Sequence, residues 1–199
     1  MAGRFFFYDA LCVFLLSGGA ACRARFCGAH FTGAAVLGIL CGLSGPLFRE
    51  TVIHGGGTSV FTQNSLLASA LAGALAGAFG GRRLWADRLD SLLDSSGLAA
   101  CACLASLCAL PVMGAAGAVL FGAMTGLLPG LVRDVALGDT ARMVEESWYA
   151  TAAVLGIVTC LAVMLLVPEG IGCVQVDIIA MSLGCALSIG VRWLSGKKV

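Results

Sequence analysis

The segment from Gly38 to Glu50 (GILCGLSGPLFRE) returns 84 residues later as the segment from Gly122 to Asp134 (GAMTGLLPGLVRD). Each copy is an apolar run with glycines four residues apart, Gly38 and Gly42 in the first, Gly122 and Gly126 in the second. Each then meets an interruption, Ser44-Gly45-Pro46 or Leu128-Pro129-Gly130, and ends in an arginine followed by a carboxylate, Arg49-Glu50 or Arg133-Asp134. The match reaches further back, because Asp9 and Asp94 lie 40 and 39 residues before Arg49 and Arg133. A chain that carries this pattern twice has to fold into two like units and bring them together.

The solvent of those units follows from composition. Of the 199 residues, 59% are hydrophobic and 12% charged, against roughly 25% charged in ordinary soluble domains. Such a chain cannot cover a water-facing surface, whereas a bilayer suits it. Seven apolar stretches are long enough to cross one: Phe5 to Ala21, Phe31 to Phe48, Ser65 to Gly81, Gly97 to Met113, Ala115 to Val132, Ser147 to Val167 and Val174 to Leu194. In lipid every backbone polar group must be satisfied within the chain, so these stretches are expected as helices. The fold class is an all-α integral membrane protein. The N-terminal stretch has some features of a signal peptide, but Asp9 interrupts it and more spans follow, so it reads as a retained first span. Asp90, Asp94, Ser95 and Ser96 are placed to cap the fourth helix.

Orientation comes from the positive charges. With the N-terminus outside, Arg23 and Arg25, then Arg82, Arg83 and Arg88, then Arg142, then Lys197 and Lys198 all fall in cytoplasmic segments. Three spans end on the opposite side from where they begin, so the second copy of the motif must stand upside down relative to the first. The chain then divides into residues 1–81, the first three-helix repeat; residues 82–167, the second, inverted; and residues 168–199, a seventh helix and cytoplasmic tail. Paired interrupted helices in inverted repeats point to a transport path near the bilayer midplane.

Prolines inside helices remove one backbone donor each, and the freed carbonyls must find other partners. Two matched interruptions favour a functional reading over packing kinks. Arg49 and Arg133 leave two alternatives open. Each can sit at a helix end with its head in water, or each can pair with a carboxylate (Asp9, Glu50, Asp94 or Asp134) along a wet path. Glycines four apart, including Gly73, Gly77 and Gly81 on the third span, let backbones approach closely, and the third span's smooth face could also serve a subunit contact. The ten cysteines do not form a disulfide framework. Cys12, Cys41, Cys101, Cys103, Cys108, Cys160 and Cys185 lie in apolar runs, where a thiol packs as a small hydrophobe. Cys22 and Cys27 flank a basic loop without a second pair of ligands. His30 and His54 are isolated. No nucleophilic triad or phosphate loop is present, so the chain does not read as an enzyme. A net charge of +1 gives no reason to expect nucleic acid.

At the paired interruption–Arg–carboxylate segments the chain resembles the bacterial trimeric intracellular cation (TRIC) channel family, whose repeat is also catalogued as a glycine-transporter domain. The family pattern is a triple-glycine break, two residues, then Arg-Asp, once in each half, with a Tyr-Ala-Thr-Ala-Ala run opening a later span. Leu131-Val132-Arg133-Asp134-Val135 and Trp148-Tyr149-Ala150-Thr151-Ala152-Ala153 fit it well, Leu47-Phe48-Arg49-Glu50 more loosely. Both triple glycines are replaced here, and Glu50 stands where the family has Asp. The resemblance implies a homotrimer in the bacterial inner membrane, in contact with lipid, with a potassium- or sodium-conducting pore in each protomer and no cofactor. The residues placed at or near that pore are Asp9, Ser17, Ser44, Gly45, Pro46, Arg49, Glu50, Asp94, Thr125, Pro129, Gly130, Arg133 and Asp134. The residues alone leave a second function open: a secondary transporter of a small zwitterion such as glycine, held through its carboxylate by arginine.

Overall fold

The computed structural model describes residues 6–56, 58–80, 86–140, 147–166 and 173–195. They form seven helices: α1 Phe6–Phe26, α2 Phe31–His54, α3 Thr58–Thr62, α4 Asn64–Gly80, α5 Ala86–Leu137, α6 Ser147–Leu166 and α7 Cys173–Ser195. No strand occurs among the described residues. α5 is too long for one crossing. Its apolar stretch Leu92–Leu137 has 46 residues, about 69 Å of helix against a hydrocarbon core of about 30 Å. It turns at Gly114, whose φ of 70° and ψ of 178° lie outside the helical region and suit a residue without a side chain. The two arms of α5 are therefore the fourth and fifth spans, and the seven-span reading holds, with α3 as a one-turn helix between the second and third.

Helix ends differ from the sequence expectation where polar residues continue a helix past the apolar run. α1 runs on to Phe26, so Arg23 and Arg25 occupy its last turn rather than a loop. Cations there oppose the negative end of the helix dipole. Cys22 is buried in that helix, while Cys27 is exposed beyond it. α2 continues through Arg49 and Glu50 to His54 and stops where Gly55 turns left-handed (φ 69°), its amide bonding to the Thr51 carbonyl. α5 begins at Ala86, so Asp94 and Ser96 lie inside it instead of capping it; the Ser96 hydroxyl donates back to the Leu92 carbonyl at 2.8 Å. Gly81, Arg82, Arg83, Arg142, Pro168, Lys197 and Lys198 lie outside the described residues, as do both boundaries between the three expected units.

The main correction concerns the interruptions. α2 keeps helical backbone through Ser44-Gly45-Pro46, and α5 does so through Leu128-Pro129-Gly130. Proline takes away one amide donor but leaves the remaining ladder intact, and neighbouring helices can satisfy the freed carbonyl.

Glycine spacing dictates the packing. A Cβ on Gly38 would fall 2.7 Å from the Ser17 carbonyl, and one on Gly122 2.7 Å from the Ala102 carbonyl. A Cβ on Gly42 would lie 3.0 Å from the Val13 carbonyl, and one on Gly126 3.1 Å from the Leu98 carbonyl. The same glycine seams therefore join α1 to α2 and the two arms of α5, as expected of a three-plus-three inverted repeat. Gly73 and Gly77 of α4 press against the backbone of Phe14 and Gly18 in α1, so that face is used inside the protomer and is not available for a subunit contact.

Candidate functional site

The six charged residues singled out from the sequence as pore candidates form two constellations. α1 begins, and α2 ends, at one end of the helix bundle. The first arm of α5 begins, and its second arm ends, at the other. Asp9 and Arg49 meet at the first end, Asp94 and Arg133 at the second.

In the first constellation Arg49 donates from Nη1 to Asp9 Oδ1 at 2.7 Å and from Nη2 to Asp9 Oδ2 at 2.8 Å, the two-pronged geometry that makes arginine–carboxylate pairs strong. Nη2 also lies 3.4 Å from Glu50 Oε1. The other Glu50 oxygen is 3.1 Å from Nδ1 of His54, one helical turn on and largely exposed. In the second constellation Arg133 donates from Nη1 to Asp94 Oδ1 at 2.6 Å and from Nε to Asp134 Oδ1 at 2.8 Å. The hydroxyl of Tyr149, at the start of α6, donates to Asp94 Oδ2 at 3.1 Å. A Cβ on Gly130 would stand 2.7 Å from that hydroxyl, so the glycine next to Pro129 makes room for the tyrosine.

Burial separates the two alternatives left open for the arginines. Arg133 is 1% exposed and Arg49 7% in the isolated chain, so neither head reaches out to water. Both are paired with the equivalent aspartate of their own repeat. The two sites still differ. Asp94 and Asp134 are buried nearly as fully as Arg133, while Asp9 and Glu50 retain 13% and 15% exposure.

Between the two ends the proline segments cross. A Cβ on Gly45 would lie 2.7 Å from Cys101 Sγ, 3.6 Å from Pro129 Cγ and 3.7 Å from the Thr125 carbonyl. Pro129 leaves that carbonyl without its helix donor, and the Cys101 thiol donates to it at 3.7 Å. Pro46 leaves the Gly42 carbonyl in the same position in α2. Ser44 and Thr125 turn their hydroxyls back to their own helices, to the Cys41 carbonyl and the Phe121 carbonyl, both at 2.7 Å. Ser17, packed on Gly42, is fully buried, and its hydroxyl finds no hydrogen-bond partner among the described residues. The thirteen residues singled out from the sequence thus fall into two ion-pair sites and one crossing. Tyr149, Cys101 and His54 were not among them. Tyr149 stood in a quoted motif, while nothing distinguished Cys101 from the other thiols in apolar runs.

A UPF0126 membrane protein of Deinococcus radiodurans is 31% identical over 181 residues, covering 88% of this chain and 79% of its relative. The chain belongs to the UPF0126 membrane protein family. A family model described as "Glycine transporter" matches residues 91–165, the stretch that holds Asp94, the second interruption, Arg133 and Tyr149. The UPF0126 chain has the fold of the prokaryotic TRIC channels. It superposes on one crystallised in 0.5 M KCl with a TM-score of 0.81, at 17% identity over 96% of both chains. The trimeric intracellular cation channel orthologue from Rhodobacter sphaeroides gives a TM-score of 0.78, at 21% identity over 97% of this chain and 99% of that one.

Proposed function

We propose that this protein is a channel for monovalent cations, potassium foremost, with an ion path inside each protomer running from one ion-pair site to the other across the proline crossing. The observation that carries the reading is the formal charge of the two sites. Each holds two carboxylates and one guanidinium: Asp9 and Glu50 with Arg49, Asp94 and Asp134 with Arg133. Each site is therefore net −1 with His54 neutral. An arginine on a cation path is no obstacle when its charge is more than cancelled within hydrogen-bonding distance, and negative charge at each mouth raises the local cation concentration and repels anions. At the crossing, the Gly42 carbonyl and the Ser17 hydroxyl are oxygens able to replace part of an ion's hydration.

The transporter reading, which the matched family model carries in its name, needs a guanidinium free to grip a substrate carboxylate. Both candidates are already held by aspartates of their own repeats, which favours the channel. The fold neighbours described as TRIC channels support the same choice and the proposal of a homotrimer. Lipid contact, a bacterial inner membrane and an N-terminus outside complete it.

Potassium flux from liposomes holding the purified protein tests the reading. Flux that rises linearly with gradient and ignores added glycine supports a channel. Saturable uptake of glycine coupled to protons or sodium would replace it with the transporter.

A further inference from the structure

Five of the nine cysteines whose side chains are described, all free thiols, gather where α1, α5, α6 and α7 meet. Cys103 and Cys160 pack into the main core with Cys185 at its edge. Cys12 and Cys101 form a separate buried cluster with Leu16 and Ala100. These two come from different repeats and share one buried cluster, against which Cys185 also packs. Cys12 donates to the Gly97 carbonyl at 3.4 Å, and Cys101 to the Thr125 carbonyl at 3.7 Å. A thiol is a weak donor, so both contacts give way readily to a stronger bond at sulfur. Cys101 is also the side chain that fills the proline crossing.

Ligand chemistry restricts what such a pair can hold. Among the described residues no group of three or more His, Cys, Asp or Glu could hold a metal ion. Two thiols fall short of the four ligands zinc takes in structural sites and offer calcium or magnesium no shell of oxygens. Two thiols in an apolar wall match a soft monovalent cation of the copper(I) or silver(I) kind, which prefers sulfur and accepts two ligands in line. We propose that Cys12 and Cys101 form a two-coordinate site for a soft monovalent cation at the crossing of the repeats, and that filling it closes the ion path. On binding, two metal–sulfur bonds form. One thiol releases its proton to water and the other coordinates with its proton in place. The adduct is neutral, as a buried site requires, and no electron is transferred. Closure of the path rests on the channel reading; the site itself does not.

Silver ion is the probe, added as silver nitrate in chloride-free potassium nitrate buffer to proteoliposomes reporting potassium flux. Ag⁺ is expected to block the unmodified protein and Cys27→Ser alike, since Cys27 is exposed and remote from the crossing. Cys12→Ser and Cys101→Ser should each raise the half-blocking concentration roughly tenfold or more, and the double variant should add little, because a two-ligand site is lost with either ligand. Silver retained per chain after desalting, measured by mass spectrometry, should fall by one in all three variants, with size-exclusion elution checking their fold. Unchanged retention would overturn the site. Reduced retention with unchanged block would overturn its control of the path. If the unmodified protein passes no potassium, the channel reading and the closure fall together, and silver retention alone then decides the site.

Discussion

Arg133→Met gives the sharpest test of the second constellation, because it removes the guanidinium bridging Asp94 and Asp134 and leaves two carboxylates facing each other. The pair being broken is 2.6 Å long and at most 4% exposed on either side. Removing one partner of such a pair is destabilising by about 3–5 kcal/mol, since the remaining charge is stranded away from water. Asp94→Asn is milder. Arg133 keeps Asp134 at 2.8 Å, the amide oxygen can still accept from Arg133, and the amide nitrogen takes the place of the oxygen facing Tyr149, whose hydroxyl can turn to accept from it, so the loss is about 1–2 kcal/mol. In the double variant Asp134 is the one carboxylate left and has no second carboxylate beside it, so its cost should fall short of the sum by about 2 kcal/mol, a coupling typical of groups in one network. At the first constellation Arg49→Met strands Asp9 and Glu50, which keep 13% and 15% exposure. Partial hydration should hold its cost to roughly half that of Arg133→Met. Denaturant titration of the four variants in detergent, followed by intrinsic fluorescence, measures all these differences. Additive effects of Arg133→Met and Asp94→Asn, or equal costs for the two arginine variants, would refute the argument from burial and geometry.

Gly77→Ala should destabilise the chain by about 1–3 kcal/mol by overpacking, because its Cβ would meet the Gly18 backbone, whereas Gly80→Ala, with open space at that point, should leave the thermal midpoint within error. Tyr149→Phe removes one hydrogen bond to a buried carboxylate and should lower stability by about 1.5–3 kcal/mol, read in the same titration. Arg23→Ala breaks the pair with Asp139, 3.3 Å apart but 24% and 41% exposed, and should shift the thermal midpoint by no more than about 0.5 kcal/mol of stability implies. Asp94→Asn should also reduce potassium flux by taking the second site from net −1 to zero; undiminished flux would count against charge as the source of cation preference.

Much of this architecture could be read in the sequence because lipid leaves so few choices. Apolar runs of bilayer length must be helices, and a motif recurring at a constant offset must sit in equivalent places. That reasoning reached the seven spans; for Arg49 and Arg133 it left pairing with Asp9, Glu50, Asp94 or Asp134 as one of two alternatives, and burial was needed to choose it. It failed where polar residues continue a helix past its apolar run. Asp94 and Ser96 resemble capping residues, yet the helix had begun at Ala86; Arg23 and Arg25 look like a loop, yet they end α1. It failed again at the prolines, where local propensity argues for a break and the packed neighbours hold the helix straight through. Tyr149 was hidden for another reason. Its counterparts one repeat earlier are Asn64 and Ser65, so comparing the two copies gives no hint that an aromatic hydroxyl completes only the second site.

The repeats are alike in backbone and unlike in chemistry at the crossing, and the difference traces to one residue of register. Pro46 aligns with Gly130, and Pro129 with Gly45, at the offset of 84. The freed carbonyls are consequently Gly42 in α2 and Thr125 in α5, which are not equivalent positions. Thr125 is capped by the Cys101 thiol. Beside Gly42 the nearest polar side chain is Ser17, whose hydroxyl has no partner among the described residues. An ion moving through the protomer would therefore meet its oxygen ligands mainly in the first repeat and a sulfur in the second. The tighter ion pair, with its tyrosine, also lies in the second repeat, and the wetter one in the first. On the ion path proposed above, both differences point the same way: the first repeat would be the more exposed end with the oxygen contacts, and the second the barrier.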